Sequence, residues 1–200
     1  MTFTLPSLPR ACRWINQPVD WRVSPEQSLT ITAGACTDWF IDPAGADAKN
    51  NAPVALFTPP DDTFILSAKV TVAFASTFDA GVVQVYARDD LWAKVCFEYA
   101  PQQCPMVVSV VTRGLSDDSN GPTIDGTEVY LRIARTARAF AFHYSRDGAY
   151  WHLVRHFSLG LVDSVEVGLA AQSPTGQGCA ATFSEVTYQR GGPADIRDGA

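Results

Sequence analysis

Alternation of apolar and polar positions with a period of two dominates the chain from residue 64 onward. It runs through 64–74, 81–88, 92–99, 106–113, 128–135, 139–145, 151–157, 164–171 and 181–188, all rich in β-branched and aromatic residues. These lengths and this period predict a strand in each segment. Turn-forming groups separate them: Asp79-Ala-Gly81, Arg88-Asp-Asp90, Asn120-Gly-Pro122, Asp147-Gly148 and Pro174-Thr-Gly176. Upstream the signal weakens. Residues 29–33 read as a strand, 37–40 as a shorter one and 43–51 as a polar loop. No segment sustains a 3.6-residue period. Short, evenly spaced antiparallel strands predict an all-β sandwich or jelly roll. The expected organisation is one domain over residues 1–200, with tails loosely held at about 1–10 and 191–200.

Strand parity sorts the side chains by face. In 92–99, Ala93, Val95, Phe97 and Tyr99 form the core set. Trp92, Lys94, Cys96 and Glu98 form the opposite row, an aromatic, a cation and a carboxylate on one accessible face. Val129, Leu131 and Ile133 are likewise core, with Tyr130 and Arg132 facing away. Trp151, Leu153, Arg155 and Phe157 share a face of the next hairpin arm. A sheet face mixing rings with charged groups can grip a sugar-like ligand: rings stack on C–H faces and charges hydrogen-bond hydroxyls. A solvated outer face would carry the same pattern.

Composition narrows the classes. Of 200 residues, 46% are hydrophobic and 18% charged, enough apolar material for a sizeable core and unlike a disordered chain. The net charge of −6 disfavours a general electrostatic nucleic-acid binder. No run of 18 apolar residues occurs, so no membrane helix is expected. The basic residues are 12 Arg and only 3 Lys, and Arg suits fixed, forked hydrogen bonding. The first ten residues lack a basic segment followed by an apolar one, and the five cysteines, Cys12, Cys36, Cys96, Cys104 and Cys179, contain no CxxC. Both features point to a cytoplasmic protein with reduced thiols. A Cys96–Cys104 bridge across a hairpin is the weaker alternative to packed thiols.

A set of short motifs occurs in order: Thr37-Asp-Trp-Phe40, Asn51-Ala-Pro53, Trp92-Ala-Lys-Val-Cys-Phe-Glu98, Ser109-Val-Val-Thr-Arg113, Ser116-Asp-Asp-Ser119, Tyr130-Leu-Arg132, Ser145-Arg-Asp-Gly-Ala-Tyr-Trp151, Leu153-Val-Arg155 and Val167-Gly-Leu-Ala-Ala-Gln-Ser-Pro174. Together they resemble the "regulation of enolase" family, a domain of unknown function in the concanavalin A-like lectin/glucanase superfamily, over residues 14–189. The resemblance implies a concanavalin A-like jelly-roll sandwich of two curved antiparallel sheets. It adds Asp38, Trp39, Asn51, Asp117 and Trp151 to the positions of interest. One departure stands out: Asp118 occupies the place of a loop tryptophan in the family's Ser-Asp-Trp-Ser pattern.

Reaction chemistry finds little support. Glycoside hydrolysis needs two carboxyl groups within about 5–10 Å, and the 92–99 strand supplies only Glu98. Asp38 or Asp117 would have to provide the second across the cleft. Lys94 and Glu98 lie about 13 Å apart along a strand, so each needs another neighbour, Arg132 being the expected one for Glu98. His152 and His156 are equally far apart and cannot chelate one zinc, with His143 able to join only one of them. No catalytic residue, metal or cofactor is therefore expected. The favoured reading is a non-catalytic module that binds a saccharide or other small polar ligand on the concave sheet. Trp39 and Trp92 would stack, Lys94, Glu98, Arg132 and Arg155 would make charged hydrogen bonds, and Asp38, Asn51 and Asp117 would form the rim. The alternative is a regulatory module with a metabolic-enzyme partner; a glycoside hydrolase ranks below both. Neither nucleic acid nor membrane is an expected partner.

Overall fold

A computed structural model describes residues 2–162 and 164–199. In chain order its strands are β1 (Thr2–Phe3), β2 (Cys12–Ile15), β3 (Asp20–Val23), β4 (Leu29–Gly34), β5 (Trp39–Ile41), β6 (Ala48–Asn50), β7 (Val54–Phe57), β8 (Phe64–Val72) and β9 (Ala80–Arg88). There follow β10 (Leu91–Ala100), β11 (Cys104–Arg113), β12 (Leu115–Thr123), β13 (Glu128–Thr136), β14 (Ala139–Ser145), β15 (His152–Ser158), β16 (Glu166–Gln172) and β17 (Gly178–Arg190). Among the described residues no helix is long and apolar enough to cross a membrane.

Two antiparallel sheets pack face to face. One has the order β1-β2-β7-β16-β9-β10-β11-β12, the other β15-β14-β13-β8-β17-β4-β3, and β5-β6 form a separate hairpin. The alternation explains the packing. Along β8, Phe64, Leu66, Ala68, Val70 and Val72 are buried while the residues between them are half-exposed. These meet Ala93, Val95 and Phe97 of β10 and Leu131 and Ile133 of β13 in the main core. Each Val, Leu, Ile or Phe side chain among them contributes about 1.5–3 kcal/mol on burial.

The eight-stranded sheet is buried on its other face too. A second apolar cluster there contains Val54, Leu56, Val82, Trp92, Cys96 and Val110, capped by Trp39 from the hairpin. Strands buried on both faces lose their alternation. That is why β7, a run of four buried apolar residues, escapes a period-two reading. β12 escapes for another reason. Its Asn120-Gly-Pro122 reads as a turn, but it lies within an edge strand whose register slips opposite Met106 and Val108. Proline is tolerated on such an edge. Residues 48–50, read as loop, pair with β5.

Other expectations also change. Trp151 lies before β15, and the β14–β15 register shifts at Phe142/His143. Phe157 therefore packs on Phe140 and Phe142 in the core, while Trp151 lies against Arg132 on the outside. Each of the two terminal tails makes contact with the sandwich. Leu5 and Leu8 enter the main core, and Phe3 stacks on Trp14. Ile196 O meets His143 Nε2 at 2.8 Å. Met1 and Ala200, the ends of those two tails, lie outside the described residues. The five thiols are free, Cys12, Cys96 and Cys179 being buried. The Asp147-Gly148 turn forms as expected: Gly148 has φ of 76°, and the Asp147 carboxylate accepts the Ala149 and Tyr150 N–H groups at 2.9 Å each.

β16 and β7 approach so closely at Gly168 that a Cβ there would lie 1.8 Å from Ala55 O. Gly168→Ala should destabilise the protein by about 3 kcal/mol, the upper end for overpacking. Urea denaturation would measure it, and a loss below about 1 kcal/mol would show that these two strands are not so tightly apposed.

Candidate functional site

Cross-strand register brings polar residues of distant segments onto the outer face of the eight-stranded sheet. One row runs Gln84, Lys94, Val110, Asp118, and a second runs Gln172, Ala80, Glu98, Met106. Ala80 is small, so the floor between Gln172 and Glu98 stays open. The β5–β6 hairpin folds over this face, and the turns at 75–79, 101–103 and 173–176 wall the remaining sides. The result is a pocket of about 440 Å³, with Lys94, Glu98, Gln172 and Val108 among its floor and Asp38, Phe40, Phe78 and Asp118 among its walls.

The hairpin is held by specific bonds. The Thr37 N–H donates to Ser173 O at 3.2 Å and Ser173 N–H to Thr37 O at 3.1 Å. Asn51 Oδ1 accepts the Asp38 N–H at 2.8 Å, and Asp38 O accepts the Asn51 N–H at 2.9 Å. The Ile41 N–H donates to Ser116 Oγ at 2.9 Å. Across the pocket, buried Asp79 accepts the Ala75 and Ser76 N–H groups and the Ser173 hydroxyl, the last at 2.6 Å. This turn sets Phe78 in a left-handed conformation, φ 71°, a costly state for a bulky residue. The Phe78 ring lies at the pocket lip, partly exposed.

Lys94, only 2% exposed, donates to Asp38 Oδ1 at 3.2 Å and to Gln172 Oε1 at 2.8 Å. Burial disfavours its ammonium, but the acidic groups around it, Asp38 first, then Cys96 and Glu98, together outweigh that and raise its pKa. Glu98 is 8% exposed and has no hydrogen-bond partner among the described residues. Burial first, then the Asp118 and Asp38 charges, push its pKa up to about 8 against the pull of Lys94. The pocket walls also desolvate the Asp118 carboxyl and raise its pKa, although the outer surface of that residue stays open to water. Cys96 lies fully buried below, where desolvation raises its thiol pKa and leaves it inert. Among the described residues no group of His, Cys, Asp or Glu is arranged to hold a metal ion.

Of the nine residues expected from sequence, Asp38, Lys94 and Glu98 come together in this pocket. Asn51 supports the Asp38 backbone. Trp39 and Trp92 are 1% and 0% exposed and pack edge to face at 5.8 Å beneath the hairpin. Their indole N–H groups donate to Ala52 O and Asp89 O, so neither ring is open for stacking on a ligand. Asp117 and Arg155 pair with each other, Nη1 to the Asp117 carbonyl at 3.0 Å, joining edge strands of the two sheets. Arg132 belongs to the other sheet and cannot serve Glu98. It lies 4.3 Å over the Trp151 ring and donates to Gly199 O at 2.9 Å. Sequence reasoning missed Gln172, Phe78 and Phe40 as pocket residues and did not place Asp118 in the site. Gln172 closes the Val167–Pro174 motif, and its side follows from pairing that one strand cannot reveal.

Residues 14–191 match the family described as "Protein of unknown function (DUF1349)". No curated protein matches the chain. A functionally unknown protein from Saccharomyces cerevisiae has a crystal structure similar to this one, with TM-score 0.82 and 23% identity over 90% of this chain and 96% of that one. The GH43 protein BlXynB of Bacillus licheniformis aligns with TM-score 0.70 and 19% identity over 87% of this chain but 35% of its own. An alginate lyase from Klebsiella pneumoniae aligns with TM-score 0.58 and 12% identity, covering 86% and 84%. At these identities the likeness is one of fold, a jelly-roll sandwich of the concanavalin-like type.

The shifted carboxyl generates a pH test. An ordinary glutamate titrates near 4.5 and Glu98 at about 8. Between these values the fold retains a proton that the unfolded chain has released. The Glu98 contribution to stability is therefore full at low pH and lost as pH rises through about 8. The Tm advantage of Glu98→Gln over the parent should widen from about pH 5 to about pH 9. Calorimetry showing a constant difference over that range would contradict the buried, protonated carboxyl.

Proposed function

The chain belongs to the family described as protein of unknown function (DUF1349), and from that premise we propose that its pocket binds a small polar, carbohydrate-like ligand without catalysis. The observation that carries this reading is the Glu98 carboxyl: buried, unpartnered and opening into a pocket beside Lys94 and Gln172. Buried polar groups are almost always hydrogen-bonded, and a bound hydroxyl would complete the set. Phe40 and Phe78 offer partly exposed ring surface at the lip, taking the stacking role first expected of the two tryptophans. Concave sites with apolar walls and a few convergent polar groups are the usual form of small-ligand sites.

The non-catalytic part rests on the state of the carboxyls. Asp38 is committed to Lys94, and Asp118 lies across from Lys94 rather than Glu98, two strands over and four residues along from the latter, roughly 16 Å in backbone terms, so no acid–base pair flanks one bond position. In this proposal the chain is a single jelly-roll domain of the "regulation of enolase" type in the cytoplasm, a setting that suits five unpaired thiols.

Isothermal titration calorimetry of a mono- and oligosaccharide panel tests the assignment. Lys94→Ala and Glu98→Gln should each weaken the best ligand about tenfold or more, roughly 1.4 kcal/mol, while Arg155→Ala leaves affinity unchanged. Equal affinity in all three variants would put the ligand elsewhere. Saccharide turnover that Glu98→Gln abolishes would replace binding by catalysis.

A further inference from the structure

Resting on the small-ligand reading above, we infer that Phe78 determines which ligand the pocket accepts: its ring, held at the mouth by the turn at 75–79, takes a sugar closed as a pyranose and discriminates against the open-chain polyol with the same hydroxyls. Among the described non-glycine residues with positive φ, Phe78 alone carries a large apolar side chain. The left-handed region is unfavourable for such a residue. Packing of the ring does not offset that cost. Phe78 is 36% exposed, whereas Phe74, four residues earlier, is fixed against Phe97 at 5.1 Å and Tyr99 at 5.6 Å. Phe40, the other ring at the pocket, packs on the second apolar cluster.

Hydrogen bonds nonetheless hold the residue from several directions. The Phe78 N–H donates to Tyr99 O at 2.7 Å, and the Tyr99 N–H to Asp79 O at 3.0 Å. The buried Asp79 carboxylate ties the Ala75 and Ser76 N–H groups to the Ser173 hydroxyl. Thr175 Oγ1 donates to Thr77 O at 2.6 Å. Gln172 Oε1 is taken by Lys94, which turns Nε2 of the same amide toward Phe78 O, at 3.4 Å. The lip is thus fastened to the end of β10, to the 173–176 turn and to the pocket floor. A costly conformation over-determined by its surroundings, at the edge of a pocket, is the form that stored strain takes at ligand sites.

The ring is what this turn presents, and its chemistry selects shape. The pocket sets Phe40, Phe78 and Val108 against the polar groups of Lys94, Glu98 and Gln172. A pyranose chair offers several C–H groups on one side and hydroxyls around its rim without further ordering. An open-chain polyol must freeze several torsions to do the same, at a cost in binding free energy. Hydrogen bonds to hydroxyls alone would not separate the two; an apolar surface that needs a C–H face does.

NMR titration of matched pairs tests this: the methyl β-pyranosides of glucose, xylose, galactose and mannose against sorbitol, xylitol, galactitol and mannitol. At least one glycoside should bind about tenfold or more tighter than its polyol. Phe78→Ala and Phe78→Gly should both lower that glycoside to the level of its polyol, and Phe78→Tyr should retain the preference. The Gly variant should melt about 2–4 °C above the Ala variant, because only glycine relieves the left-handed backbone, yet bind no more tightly. A preference undiminished in Phe78→Ala, or absent from the parent although glycosides bind, would overturn the inference and leave the pocket reading intact. Affinity that recovers together with Tm in Phe78→Gly would also overturn it, since backbone shape rather than the ring would then decide binding. If neither glycosides nor polyols bind, both readings fall together.

Discussion

Burial of β10 on both faces is the constraint from which the rest of the structure follows. Its odd-numbered residues, Ala93, Val95 and Phe97, fill the space between the two sheets. Its even-numbered residues therefore project to the opposite side, where Trp92 and Cys96 join a second apolar cluster. Lys94 and Glu98 occupy the same row and cannot escape to solvent by rotation, because the strand fixes their side. A charged group so placed must find a partner, change protonation state or face an occupant. Lys94 takes the first course through Asp38 and Gln172. Glu98 takes the second, its proton held up to about pH 8 by burial.

The hairpin that supplies Asp38 is thereby part of the electrostatics as well as of the packing. Trp39 points down into the second cluster, and its neighbour Asp38 points at Lys94, so consecutive residues seal the cluster and neutralise the lysine. Asn51 and Ser173 hold the backbone on either side of that pair. Three separated stretches of chain, near 38, 51 and 173, converge there. The site is thus tied to the sandwich at several points, and at its lip the left-handed φ of Phe78 is maintained by the buried Asp79.

Much of this was legible in the sequence, and the boundary of legibility has a physical cause. Parity along one strand placed Lys94 and Glu98 together, and separated them from the core set, because side-chain direction alternates strictly. Parity does not say which sheet a strand joins, so Arg132, with the same outward signature on β13, was grouped with Glu98 although the sandwich puts the two on opposite sides. Nor does it distinguish a solvated face from one covered by a hairpin, so Trp39 and Trp92 read as stacking platforms when they are buried packing. Gln172 and Asp118 reach the pocket through cross-strand register, a relation between distant segments that no local pattern contains. The apolar run of β7 and the Pro-bearing β12 were hidden because a strand buried on both faces, or lying at an edge, lacks the alternation by which strands are recognised.

The two outer faces show how the same problem is resolved differently. Arg132, on the far sheet, is 5% exposed, and burial lowers its pKa to about 10. Among the described residues its guanidinium has no carboxylate partner; it stacks on Trp151 and donates to the Gly199 carbonyl, leaving Nε unbonded. Its cross-strand neighbour His143 is capped in the same way by the carbonyl of Ile196. The turns at 195–199 thus supply two acceptors on that face, while His143 Nδ1, like Arg132 Nε, stays unbonded. On the Lys94 face the hairpin neutralises the cation, but among the described residues none hydrogen-bonds Glu98. Unbonded buried polar atoms occur on both sides of the sandwich, Arg132 Nε and His143 Nδ1 on the far face and the Gln84 amide in the row of Lys94 on the near one; what sets the near face apart is that its buried carboxyl opens into a pocket of about 440 Å³.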